Sequence, residues 1–157
     1  AAGYRDLIGS VKACAQRQKM THMDGEDKDI VALAQSGELK GDRAVACEGL
    51  FPVWGPGAFS LGQVRRWEGQ LWRCCQAHDS TGQAGWEPGN VPALWTPFHT
   101  TVPAFAKPFI QPTGAHDAYL KGEVCIWTDG KVYRSIISTA NAYSPADYPA
   151  GWEAAGE

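Results

Sequence analysis

Apolar residues are spaced in two different ways along this chain. In the first 48 residues, Leu7, Ile8, Val11, Cys14 and Ala15 recur at helical spacing, which predicts a helix over residues 4–18. The stretch THMDGEDKD interrupts it, and Gly25 with nearby Asp24 and Asp27 reads as a turn followed by a helix start. A second helix is expected over 28–35 and a short third over 42–48. Isolated helices of this length are marginal in water. The apolar stripe is therefore expected to dock, through Leu7, Ile8 and Val11. The following module, copies of the same chain and a larger particle all remain open as partners.

From Leu50 onward the spacing changes to short alternating runs punctuated by Gly and Pro. Val64 and Val124 sit in such runs, and WEGQ and TDGK supply tight turns with a glycine free to take positive φ. Two β-hairpins follow, with second strands expected over 71–76 and 132–137. On the pleat, Val124 and Ile126 share one face while Glu123 and Trp127 take the other. Short final strands at Trp95 and Trp152 would close each unit.

The two runs are copies of one another. AFSLGQVRRWEGQLWR (58–73) aligns with AYLKGEVCIWTDGKVYR (118–134) with one inserted residue, and residues 86–95 align with 143–152. Ten of those 26 aligned positions are identical. The last block follows one formula in both copies, aromatic-x-Pro-x-x-x-Pro-Ala-x-Trp. Between the copies, Pro97, Pro103, Pro108 and Pro112 predict an extended, semi-rigid connector. The expected architecture is thus mainly β, with two small antiparallel modules in tandem joined by a Pro-rich linker and preceded by a helical segment. Its boundaries are 1–49 for the helical segment, 50–97 for module one, 98–109 for the linker and 110–157 for module two. Modules of this size sit near the lower limit for independent folding. Buried aromatics, each hiding about 150–250 Å², are one way past it, and Phe59/Tyr119, Trp72/Tyr133 and Trp95/Trp152 are the expected core pairs.

Charge and composition remove several function classes. A formal net charge of −3 and a pI near 5.8 leave no electrostatic footprint for nucleic acid. Arg65, Arg66 and Arg73 are the one basic cluster and read as a solvated strand face. No apolar run approaches the roughly 20 residues that cross a bilayer, and no signal-peptide pattern opens the chain. The odd count of five cysteines favours reduced, structural thiols over a disulfide framework. His22, His78, His99 and His116 lack ligand spacing, so neither a metal nor another cofactor is expected.

Trp86 and Tyr143 differ from the core aromatics. Each lies two residues before a proline in a turn-rich loop, beside Gly85 or Ala142, where backbone resists burial. An indole or phenol on a rigid loop offers a flat apolar face, and a pyranose ring has an apolar C–H face to stack on it. Trp86 is expected to be a solvent-exposed platform.

The segment from Trp54 to Pro97 resembles the type-3 chitin-binding domain, carbohydrate-binding module family 5/12. The resemblance is carried by Phe59, Gly62, Val64, Gly69, Trp72, Cys74, His78, Gly85-Trp86-Glu87-Pro88 and Val91-Pro92-Ala93-Leu94-Trp95. It implies a compact β fold in which Trp86 stacks on sugar with Glu87, Pro88 and Pro92 beside it, while Trp95 is structural. The second copy has Tyr143 for the tryptophan, Ser144 for the glutamate and no histidine; Tyr143 and Tyr148 are its corresponding stacking candidates. The layout of a helical head and two such modules resembles, more loosely, small tail-associated proteins encoded in prophages. The implied partner is a chitin-like or cell-wall glycan, with other virion proteins or further copies of the chain docking on the N-terminal helices. The implied location is extracellular or on a virion surface.

No enzyme is expected. His78, Asp79 and Ser80 are consecutive and cannot converge on one proton path, and no Gly-x-Ser-x-Gly occurs. A paired-carboxylate glycosidase needs two acids held about 5 to 9.5 Å apart, and nothing in modules this small indicates such a scaffold. The competing reading is a structural virion or interaction protein that uses the same fold without binding sugar.

Overall fold

The computed structural model describes residues 30, 32–34 and 39–156. The helix expected over 4–18, with its Leu7, Ile8 and Val11 face, and Cys14 lie outside these residues. Residues 30 and 32–34 are helical, as expected. A short helix α1, Gly41–Ala46, with a 3₁₀ turn Glu48–Leu50 behind it, stands where the third helix was expected. Everything after it is mainly β, in small and mostly antiparallel sheets. The chain divides into two compact units, 1–98 and 99–157.

Unit one pairs β1 (Ala58–Phe59) with β4 (His78–Asp79), and builds a three-stranded antiparallel sheet from β2 (Val64–Trp67), β3 (Gln70–Cys74) and β5 (Trp95–Pro97). Val64 faces Arg73 across the hairpin and Cys74 faces Trp95. The hairpin turns on Glu68 and Gly69, whose φ of 48° and 75° are both positive, the two-residue geometry that matches strand twist. Glycine takes that conformation without strain; Glu68 does not. Phe59, Val64, Leu71, Trp72, Cys74 and Trp95 are buried together with Phe51 and Phe98.

Unit two sets β7 (Val124–Ile126), β8 (Val132–Ser135) and β9 (Trp152–Ala154) in the same antiparallel order. Val124 faces Arg134, and Ser135 faces Trp152. The inserted residue lengthens the hairpin loop to three, with Gly130 at φ 80° and the Trp127 N–H donating to the Lys131 carbonyl. Upstream turns coincide as well. The Ser60 amide donates to the Gln63 side chain at 3.0 Å, and the Leu120 amide to the Glu123 carboxylate at 2.7 Å. Tyr119 and Trp152 pack edge to face at 5.4 Å, with Cys125 beneath and Phe109 against them.

Two expectations for the β region change. The second strands end earlier, at Cys74 and Ser135. The proline-rich stretch is part of unit two's structure. Thr100 bridges Val124, and β6 (Lys107–Pro108) runs parallel to β7. Proline is tolerated there because β6 is an edge strand. Unit one has the same feature, with Val53 bridging Arg66 in parallel. Trp54 then meets Trp67 edge to face at 5.0 Å, as Phe109 meets Trp127 at 5.2 Å. With β6 on one side and β8 on the other, β7 is interior, so Val124 and Cys125 on opposite faces are both buried.

The arginines are not a solvated face. Arg73 donates to the Leu39 carbonyl at 2.7 Å and lies 4.5 Å over the Phe98 ring. Arg66 donates to the Phe51 carbonyl, and Arg65 covers Phe59 at 5.3 Å. These contacts tie the segment before β1 to the sheet through guanidinium stems and rings. The cysteines depart from expectation too. Cys47 is disulfide-bonded, while Cys74, Cys75 and Cys125 are thiols outside any disulfide. Burial pushes the Cys74 thiol up, and the Cys125 thiol up to about 12.

Candidate carbohydrate-binding loops

In unit one the loop 85–95 begins and turns on glycines in the left-handed region, Gly85 at φ 84° and Gly89 at φ 98°. A Cβ at Gly89 would stand 3.6 Å from the Trp72 indole, so the loop lies close over the core. Glu87 and Asn90 close it: the Asn90 amide donates to the Glu87 carbonyl at 3.1 Å, and its side chain to the Glu87 carboxylate at 2.9 Å. Pro88 is buried, and Pro92 and Glu87 are half-buried. Trp86, expected as a solvent-exposed platform, is half-buried as well. Its indole packs edge-on against the His78 ring at 6.2 Å, and His78 in turn packs against Trp95 at 5.4 Å. The His78 Nδ1–H donates to the Gln76 carbonyl at 2.7 Å, which fixes the ring plane.

In unit two the equivalent loop is pinned at more points. The Trp152 indole N–H donates to the Tyr143 carbonyl at 3.1 Å. The Gln111 side chain donates to the Ala142 carbonyl at 2.8 Å. Ser144, buried, accepts from the Asp147 amide and donates to the Asp147 carboxylate at 2.7 Å. Tyr143 and Tyr148 then stand in solvent, 59% and 42% exposed, with rings 5.8 Å apart and nearly perpendicular. Gly151 is required behind them, since a Cβ there would meet the Tyr148 ring at 2.7 Å.

Sequence comparison misses one residue of this loop. Asn141 faces Tyr119 across a bridge, in the ladder position that His78 occupies opposite Phe59. The loops between the copies differ in length, so this equivalence becomes visible only through strand pairing. Asn141 is fully buried. Its side-chain oxygen accepts from the Tyr143 amide at 3.2 Å, and its nitrogen donates to Ser135 Oγ and the Gly151 carbonyl.

Among the described residues no group of three or more His, Cys, Asp or Glu side chains could hold a metal ion. The loops offer flat rings, carboxylates and hydroxyls at fixed positions. That suits adsorption of a sugar ring.

Residues 57–96 match carbohydrate-binding module family 5/12. A 38-residue stretch is 50% identical to chitinase A1 of Niallia circulans and, in a second comparison of the same length, 53% identical to the UvrABC system protein C of Lachnospira eligens. Each comparison covers 24% of this chain, and the chain spans only 5% and 6% of those relatives' lengths. What the likeness supports is a carbohydrate-binding module of chitin type in the first unit.

Proposed function

We propose that the protein is a non-catalytic binder of β-1,4-linked N-acetylglucosamine polymers, chitin-like or from peptidoglycan, and that it has two tandem binding modules. The observation that carries this reading is the position of the loop aromatics. Trp86 lies within the family match, and Tyr143 stands exposed at the same place in the repeated formula, with Tyr148 exposed beside it. Glu87 offers an acceptor to sugar hydroxyl or amide groups, and Pro88 and Pro92 limit the entropy lost when the loop meets its ligand. Tyr143 and Tyr148 are the second platform. Two weak sites reinforce each other on a polymer through effective concentration when both reach it at once.

The prophage-like layout of the chain supports a role as a phage tail or virion-surface adhesion component. One observation favours the alternative, a structural virion or interaction protein without sugar binding: the half-burial of Trp86 against His78. Pull-down on insoluble chitin and on peptidoglycan, beside Trp86→Ala and a Tyr143→Ala/Tyr148→Ala double variant, separates the two. Retention by the parent and loss in the triple combination is expected. Failure of the folded parent to bind either polymer would leave the structural role.

A further inference from the structure

We infer that unit two takes a single, solvated β-1,4-linked glycan strand and not the flat face of a crystalline polymer. The inference rests on Tyr143 and Tyr148 being a sugar platform, and it concerns the form of polymer that such a platform holds. The two exposed rings are close, 5.8 Å between centroids, but their planes are inclined at 68°. The face of a crystalline polymer offers many pyranose rings in one plane. Two phenols adsorb on it together only when they are coplanar. At 68° one ring lying flat leaves the other almost on edge, with little of its apolar area removed from water. A lone strand imposes no such plane. It has apolar C–H faces and, at a steep angle to them, edges lined with hydroxyl and amide groups. One phenol stacks on a face while its neighbour closes on an edge.

The angle is built into the loop. The Tyr143 amide donates to the Asn141 side chain at 3.2 Å, and its carbonyl accepts the Trp152 indole N–H at 3.1 Å, which anchors the backbone on both sides of that ring. The Tyr148 amide donates to the Ser144 carbonyl at 3.0 Å. Its ring rests against the bare backbone of Gly151, where a Cβ would approach to 2.7 Å. An edge-to-face arrangement is itself favoured for two aromatic rings, so the pair resists flattening. Asp147, exposed on the same turn, has its carboxylate oriented by the Ser144 hydroxyl at 2.7 Å. An acceptor there suits a strand whose edge hydroxyl and amide groups are free; in a crystal neighbouring chains occupy those groups. Unit one has Val91 at the position of Tyr148 in the repeated formula. The inclined pair is therefore unit two's own.

The test measures binding isotherms of the full chain carrying Trp86→Ala, so that the first platform does not contribute. The probes are crystalline chitin, the same chitin regenerated in amorphous form, and peptidoglycan. Kd is compared rather than capacity, because the amorphous form exposes more surface. A Kd at least about tenfold lower on amorphous than on crystalline chitin is expected. Peptidoglycan bound more tightly than amorphous chitin would identify the cell wall as the source of the strand, and the reverse order would identify chitin. On the dispersed form Tyr143→Ala and Tyr148→Ala should each weaken binding about fivefold, because both rings touch the strand. If Tyr148→Ala disturbs the loop, Tyr148→Leu takes its place, since it keeps bulk over Gly151 and removes the ring. Equal or tighter binding to crystalline chitin, or a dispersed-polymer Kd that one of the two tyrosines does not affect, would overturn the strand assignment and leave the sugar platform standing. Absence of binding to all three polymers would instead remove the platform itself, and this inference with it.

Discussion

Trp86 and Tyr143 stand at the same step of the same ten-residue formula, yet one is half-buried and the other is 59% exposed. The cause lies in a third residue. In unit one the ladder partner of Phe59 is His78, a ring that fills the space beneath the loop and draws the Trp86 edge onto itself. In unit two the partner of Tyr119 is Asn141, which holds the loop by its backbone and leaves the side chain outside. A ring supports a ring by packing. An amide supports a loop by hydrogen bonds and frees the aromatic above it. Exposure of the loop aromatic thus follows what lies across the sheet from it.

The largest effect should come from the shared closing tryptophan. Trp95 is 1% exposed and packs on Phe59 at 5.0 Å and on His78. Trp95→Ala should cost about 3–5 kcal/mol, collapsing the NMR dispersion of unit one while unit two keeps its own. Simultaneous loss of both units would break the comparison by showing that they fold as one. Trp152→Ala should do the same to unit two and also release Tyr143, whose carbonyl accepts the indole N–H.

The exchange of His78 and Asn141 comes next. Asn141→Ala leaves Tyr143 N–H and the groups around the amide unpaired, and should cost unit two about 1–3 kcal/mol. His78→Asn should loosen Trp86 and move its resonance in fluorotryptophan-labelled protein toward the solvent-exposed position. An unmoved Trp86 signal would mean that the loop, not the histidine, fixes its burial.

On glycan the effects are smaller and graded. Trp86→Ala should reduce polymer binding at least about tenfold, ~1.4 kcal/mol, because the indole offers the larger face. Tyr143→Ala should lower avidity on insoluble polymer while leaving binding of short oligomers within about twofold. Co-sedimentation with chitin, beside calorimetry on soluble oligomers, measures both. A larger loss at Tyr143 than at Trp86 would show that exposure outweighs ring size.

Much of this fold is readable in the sequence because its signals are local. Val64 and Val124 in short alternating runs, glycines at the two turns and a tryptophan closing each sheet depend only on nearby residues, and each lies where expected. The parallel strand at Lys107–Pro108 is hidden, since proline argues against strand wherever the neighbouring chain is unknown. The arginines mislead for a related reason. A cluster of charge on strands reads as solvent-facing until Phe59, Phe98 and the Leu39 carbonyl arrive from elsewhere in the chain. In the loops, Trp86 and Tyr143 stand out by residue type beside proline. Asn141 does not, because its role follows from a ladder position that unequal loops obscure.

The smallest effect separates the units by pH. His99 lies in unit two, stacked on Tyr119 at 3.9 Å, with its Nε2–H donating to the Asp117 carbonyl at 3.1 Å. Burial lowers its pKa below the usual 6.5, while the hydrogen bond to Asp117 and the Asp117 charge oppose the shift without cancelling it. Asp117 is the acid nearby, its carboxylate held by the Thr113 and Gly114 amides, and exposed His116 stands 3.9 Å from that carboxylate. With a lowered folded pKa, the unfolded chain takes up the proton first as pH falls. The stabilising effect of neutral His99 is therefore complete above 6.5 and is lost as pH drops below it, before Asp117 begins to protonate. Thermal unfolding followed by unit-two resonances should show a falling midpoint between about pH 7 and pH 5. His99→Phe keeps a ring against Tyr119 and should flatten that slope. A slope that survives the substitution would assign the pH sensitivity to a group other than this histidine.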